Sequence, residues 1–194
     1  AAMWALTSRD DGSARGRTRE QVHRSMAPVW EANHVWLIFV LTVTWTAYPA
    51  VFASTFSTLS VALFLAAVGV ILRGGAYALR SGGAQRRGTE TVLGLSSVLT
   101  PFMLGAVVGG IASLRVPVGN AAGPQFSSWL NPTSIMIGVL AVAFSAYLAA
   151  VYLAADAARH DDPDMASAFR IRALIAAAVA GALALAGIIV VHAD

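Results

Sequence analysis

The stretch ANHVWLIFVLTVTWTAYPAVFASTFSTLSVALFLAAVGVIL, residues 32–72, contains no Asp, Glu, Lys or Arg. As one helix it would run roughly 60 Å at 1.5 Å per residue, twice the ~30 Å hydrocarbon core of a bilayer. It therefore reads as two membrane spans joined by a turn. The hydroxyl-rich Thr55-Phe56-Ser57-Thr58-Leu59-Ser60 is the natural break, giving spans near 34–55 and 59–79.

Working outward, a third uncharged run covers Thr91 to Leu114. A fourth, from about Thr133 to Ala155, follows a turn-rich segment that starts at Pro117 and ends at Asn131-Pro132. The last covers Ala173 to Ala193. The expectation is an all-α integral membrane protein, a polytopic bundle of five complete transmembrane helices, with residues 1–194 forming a single transmembrane domain. Residues 1–6 read as the stub of a truncated first helix. They lack the basic n-region and apolar length of a signal peptide, so the chain reads as starting inside a helix, as a fragment or an incomplete gene model would.

Composition agrees. Of 194 residues, 57% are hydrophobic and 12% charged, about half the charged fraction of an ordinary soluble domain, and the mean hydropathy is +0.68. Soluble globular and disordered classes are excluded. The absence of cysteine rules out disulfides, thiolate metal sites and iron–sulfur clusters.

All 13 basic residues are arginine, and the formal charge is +3. Five lie in 7–28 (Arg9, Arg15, Arg17, Arg19, Arg24), three in 80–91 (Arg80, Arg86, Arg87) and three in 157–172 (Arg159, Arg170, Arg172). The alternate connections hold none at 55–60 and only Arg115 at 115–132. By the positive-inside rule, 7–28, 80–91 and 157–172 are expected to be cytoplasmic loops, with the C-terminus outside. Basicity thus encodes orientation, and no nucleic-acid partner is expected. Gly105 and Gly109 form a GxxxG spacing that permits close helix approach.

The segment Pro28-Val29-Trp30-Glu31-Ala32-Asn33-His34-Val35-Trp36-Leu37 carries the most chemistry. Ionisable groups are costly in a membrane and therefore default to functional candidates. At about 100° per residue, Glu31, His34, Thr42, Trp45 and Pro49 share one sector of the helix, while Trp36 points elsewhere. This makes a polar strip suited to proton uptake from the cytoplasmic end, with Glu31 and His34 as its candidates. Equally, Glu31 caps the helix start near its positive dipole end, and His34 packs or hydrogen-bonds rather than binding haem or metal. Arg73 reads as snorkelling or as pairing with a carboxylate or anionic head group, and Asp156 carries the same ambiguity. Asp161, Asp162 and Asp164 read as a solvated loop, too poor in oxygen ligands for calcium. Pro49 and Pro101 are expected to kink their spans. His23, His160 and His192 fall in loops or at the terminus, so no second buried histidine completes a haem ligand pair. There is no nucleophile–base pair, Walker motif or dinucleotide fingerprint.

The same segment resembles the P-x-W-[DE]-x-N-x-V-W-L signature of subunit II of cytochrome bd-type quinol oxidases. Three further blocks agree in order and spacing: Ala47-Tyr48-Pro49-Ala50-Val51-Phe52 with Phe56-Ser57, Ile71-Leu72-Arg73-Gly74-Gly75-Ala76-Tyr77 ending in Arg80, and Leu130-Asn131-Pro132. The resemblance covers about residues 18 to 193. It implies a respiratory membrane oxidase of the bacterial cytoplasmic (inner) membrane that oxidises quinol and reduces dioxygen to water.

In that family, haem b and haem d belong to the partner, subunit I, and subunit II supports it without ligating haem. The resemblance implies a proton-path role for Glu31, and places Trp36 near an oxygen path or the subunit interface. It makes Trp30, Asn33, Pro49, Asn131 and Pro132 structural, and Arg73 and Arg80 contacts to a structural quinone or to lipid head groups. Small single-helix subunits are further expected partners. Three departures stand out: the family's aspartate-bearing first helix is missing, Ala78-Leu79 replaces the acidic residue before the arginine matching Arg80, and the chain stops within the second of two four-helix bundles. The alternative function is a small transporter or scaffold bundle, which calls for a polar midplane site built from broken helices.

Overall fold

The computed structural model describes Trp4 and residues 12–81, 86–119 and 121–194. Among the described residues six helices follow in order: α1 (Gly12–Ala47), α2 (Pro49–Thr58), α3 (Ser60–Ser81), α4 (Arg86–Ala112), α5 (Pro132–Arg159) and α6 (Pro163–Ala193). There is no strand among the described residues. Antiparallel neighbours pack in chain order, α3 on α4, α4 on α5 and α5 on α6, while α1 touches the rest lightly.

Among the described residues three helices are long and apolar enough to cross a membrane: Thr91–Ala112, Pro132–Arg159 and Pro163–Ala193. A fourth crossing arises if the bent pair Ala32–Ala47 and Pro49–Thr58 is taken as one span, and Ser60–Ala76 is a shorter apolar helix. The count of five complete spans is therefore not reached on length and composition among the described residues.

Four boundaries differ from the sequence reading. The expected 34–55 span breaks at Tyr48, where its halves bend by 117°. Pro49 has no N–H to donate to Trp45, and its ring fits only the first turn of a new helix. The turn expected at 55–60 shrinks to Leu59, across which the ladder continues: Leu59 N–H donates to Thr55 at 2.9 Å and Leu63 N–H to Leu59 at 3.0 Å. Residues 12–28, expected as loop, are helical within α1, and the 157–172 connection reduces to residues 160–162. By contrast, α4 runs through Pro101 without interruption.

The short α5–α6 turn is built from capping groups. Asp161 takes a left-handed backbone, φ 52°, and the Asp162 N–H reaches back to Ala157 at 3.1 Å, closing the helix end. The Asp162 carboxylate then accepts the Met165 N–H at 3.1 Å, with Pro163 in the first turn. Asp162 is thus a helix cap rather than part of a solvated loop.

Small residues set the packing distances. A Cβ on Gly105 would lie 2.8 Å from the Gly138 Cα, and one on Gly109 2.4 Å from the Ser134 Cα. The GxxxG pair therefore makes the α4–α5 seam, where backbones approach without an intervening side chain. One core joins Leu59, Ala62 and Ala66 to Met103, Ala106, Val107 and Trp129; a second joins Val22, Leu153 and Phe169.

Candidate functional site

The acid, amide, imidazole and indoles of the Pro28–Leu37 segment all lie on α1. His34 is half-buried and Asn33 is exposed. The side chains of Trp30, Glu31 and Arg80 lie outside the described residues, as do residues 1–3 and 5–6 of the expected stub. Trp36 is 67% exposed and meets Phe39 edge to face at 5.9 Å. From Val35 to Val51 the large apolar side chains of α1 and α2 are exposed, with Leu37 half-buried.

Along the expected strip, Thr42 Oγ donates to the Ile38 carbonyl at 2.9 Å. Thr44 and Thr46 likewise bond back to Val40 at 2.7 Å and Thr42 at 2.8 Å. This back-bonding satisfies the hydroxyl hydrogens locally and favours helix bending, consistent with a break one turn later. What the hydroxyls still offer is lone pairs, which is acceptor capacity. At the break, Trp45 stacks on Phe52 at 6.2 Å and Phe52 on Phe56 at 4.0 Å. Arg73 is half-buried on α3, so the strip and the arginine lie on different helices.

Asn131 is 4% exposed and caps α5, its carbonyl oxygen accepting the Ser134 N–H at 2.8 Å. Its amide donates to Ser128 at 3.1 Å, and Pro132 occupies the first turn. Together they fix the junction between the 113–131 connection and α5. That connection also folds onto α2: Gly123 N–H donates to the Thr58 hydroxyl at 2.9 Å, and Ser54 donates to the Gly119 carbonyl.

Two polar ties emerge that the sequence reading missed. At one end of the bundle, Ser25 of α1 donates to the Asp156 carboxylate of α5, and His160 approaches the same carboxylate at 3.8 Å. At the other end, the Arg115 guanidinium meets the Asp194 carboxylate at 2.9 Å. Hydrogen bonding from the Thr133 hydroxyl, then the charge of Arg115, holds Asp194 below the usual carboxylate range. Neither pair was readable from spacing, since its members lie 131 and 79 positions apart. The one available signal was Asp156 itself, a lone carboxylate near the end of an apolar run.

Among the described residues, no three His, Asp or Glu side chains converge on a point that could hold a metal ion. His160 and His192 bond to the Asp156 and Ile188 carbonyls at 2.9 and 3.0 Å, each four residues back.

These elements define a helical membrane chain with polar ties at both ends and an ionisable motif on its first long helix. The sequence model described as cytochrome bd terminal oxidase subunit II matches residues 1–193, and the chain belongs to that family. Cytochrome bd-I ubiquinol oxidase subunit 2 of Escherichia coli (strain K12) is 28% identical over 142 residues, covering 66% of this chain and 36% of the relative. The proteins of the same description from E. coli O6:H1 and O157:H7 match to the same extent. The chain thus spans about a third of the length of the curated relatives it matches. No solved structure matches.

Proposed function

We propose that this chain is the membrane subunit II of a cytochrome bd-type quinol:dioxygen oxidoreductase in a bacterial cytoplasmic membrane. The observation that carries the reading is the family match along residues 1–193. In the reaction two quinols give up four electrons and four protons, and one dioxygen takes them to form two waters. Haem b and haem d supply the electron chemistry when bound, and this reading assigns them to the partner subunit I. His160 and His192 sit at helix ends, each hydrogen-bonded through Nδ1 to a backbone carbonyl.

This chain's own contribution is to seat the haem-bearing partner and to carry protons or oxygen. Glu31 and His34 are the proposed proton-path groups, one turn apart on α1, and Trp36 lines an oxygen path or the interface. Arg73 and Arg80 are proposed to hold a quinone or lipid head group. The arginine-rich segments are placed on the cytoplasmic side and Asp194 outside. The transporter reading requires a polar site at a broken helix; the break at Tyr48 is flanked by stacked Trp45, Phe52 and Phe56.

The test is affinity purification of the full-length subunit from its native membrane. Co-purification with a haem-bearing subunit and a reduced-minus-oxidised spectrum with haem b and haem d bands is expected. A haem-free preparation that takes up solute in vesicles would overturn the reading.

A further inference from the structure

The 113–131 connection buries polar side chains and exposes apolar ones. Ser128 and Asn131 are buried beside Trp129, and the Gly123 N–H reaches inward to the fully buried Thr58 hydroxyl. Outside, Leu114 is 89% exposed, Phe126 59% and Leu130 52%, and Val118 is wholly exposed. Arg115 is the only charged residue between Leu114 and Leu130, and its guanidinium is paired with Asp194. Exposed Gln125 and Ser127 flank Phe126, polar groups that carry no charge. A loop surrounded by water has the opposite layout, and clustered exposed hydrocarbon marks a surface that meets a partner or a membrane.

Leu114 is strained as well as exposed. The end of α4 closes with the Leu114 N–H on the Ile111 carbonyl at 3.1 Å and the Arg115 N–H on the Gly110 carbonyl at 3.2 Å. This puts Leu114, at φ 57°, in the left-handed position that glycine usually fills. A leucine there bears a backbone cost and, in water, a second cost for its bare side chain. Against lipid the second cost becomes a gain at least as large as the first.

Place and continuity favour lipid over a docked protein. Leu114 lies two residues past the end of α4, and Leu130 two before the start of α5. Both therefore stand within about 7 Å of the end of a membrane-length helix. Leu114 follows the exposed Val108 and Ile111 of α4, and Leu130 precedes the exposed Ile135 and Val139 of α5, rows that face lipid in a membrane bundle. The connection is also tied to α2 through Ser54. Six residues before Ser54 stands Tyr48, exposed like Trp45, and exposed Trp and Tyr are enriched where hydrocarbon gives way to head groups.

We propose that Leu114, Phe126 and Leu130, with Val118, seat this connection in the boundary between lipid head groups and acyl chains. The bilayer itself is the partner, and the connection is an interfacial anchor beside α4 and α5 rather than a solvated loop. Its uncharged outer groups lose no ionic hydration on entering, and its one arginine enters already paired.

The anchor is independent of the oxidase reading and is tested without an activity measurement. This chain has no cysteine, so Leu114→Cys, Phe126→Cys and, as the water reference, Asp164→Cys each add one thiol to it. The membrane complex containing each full-length variant is labelled with a small fluorophore and reconstituted in vesicles of phosphatidylethanolamine and phosphatidylglycerol. The unsubstituted complex, treated alike, gives the background. Phosphatidylglycerol brominated on its acyl chains should quench the labels at positions 114 and 126 several-fold more than the label at 164, and aqueous iodide should quench in the reverse order. Iodide quenching at either position equal to that at 164 overturns the anchor. So does a label that neither quencher reaches, the result for a docked protein.

Discussion

The Ser25 hydroxyl donates to the Asp156 carboxylate, tying the polar half of α1 to the last turns of α5 across 131 positions of chain. Ser25 is 6% exposed and neighbours the contact of Val22 with Leu153 and Phe169. Hydrogen bonds to charged groups are worth ~1.5–3 kcal/mol. Ser25→Ala should therefore destabilise by about 1–2 kcal/mol, read as a lower unfolding midpoint in detergent titration. An unchanged midpoint would mean that Val22 and its apolar partners hold α1 alone.

Gly109 meets the Ser134 backbone so closely that a Cβ would sit 2.4 Å from its Cα. Gly109→Ala should cost about 1–3 kcal/mol through overpacking. Gly75 and Gly181, where an added methyl would meet only open space, provide the contrast. Alanine there should be neutral or stabilising by about 0.5–1 kcal/mol, since it removes helical glycine entropy. Thermal unfolding of the three variants side by side separates a packing seam from a general intolerance of substitution.

Asn131 caps α5 from a buried position and donates to Ser128. Asn131→Ala should lose about 1–2 kcal/mol, the range for a lost N-cap. Asn131→Asp should restore the cap acceptor but not the amide donor. Partial recovery in chemical denaturation is the expected result.

Asp194 has its carboxyl pKa lowered by Thr133 and Arg115. For a lowered pKa, the stabilisation is fully present above the ordinary value of about 3.9 and fades as pH falls through the lowered one. The Arg115–Asp194 tie should therefore be constant from pH 5 to 8 (~1 to 4 units above the ordinary value) and weaken only in stronger acid. Asp194→Asn should flatten the acid limb of the stability profile; an equal acid limb in the variant would assign that limb to other carboxylates.

For the proposed proton and oxygen roles, Glu31→Ala should reduce oxidase-linked proton uptake while leaving the complex assembled. Uptake at the wild-type rate would leave Glu31 as a helix cap. Trp36→Ala, at a 67% exposed indole, should change oxygen affinity or loosen the subunit interface. Wild-type oxygen kinetics in an intact complex would count against it.

Much of the helical layout was legible because uncharged runs of membrane length are a one-dimensional signal: Thr91–Ala112 and Pro132–Arg159 match expected spans closely. The break at Pro49 was legible as a kink but not in degree, since 117° depends on what the second half packs against. Residues 12–28 read as loop because arginines dominate them, yet buried Val22 and Ser25 anchor them as helix. Asp162-Pro163 did carry a helix-start signature, cap then proline, hidden within a cluster of aspartates. The polar ties were out of reach, because Ser25–Asp156 and Arg115–Asp194 are meetings in space between residues with no sequence relationship.

The three-residue turn between α5 and α6 has a practical consequence for sidedness. Two membrane-length helices joined that tightly cannot be oriented separately, so Asp161 and the Arg115–Asp194 tie occupy opposite faces of whatever bilayer surrounds them. A single impermeant label on a cysteine placed at Asp161 would therefore report the orientation of both helices, and of the C-terminal end of α4, in one measurement.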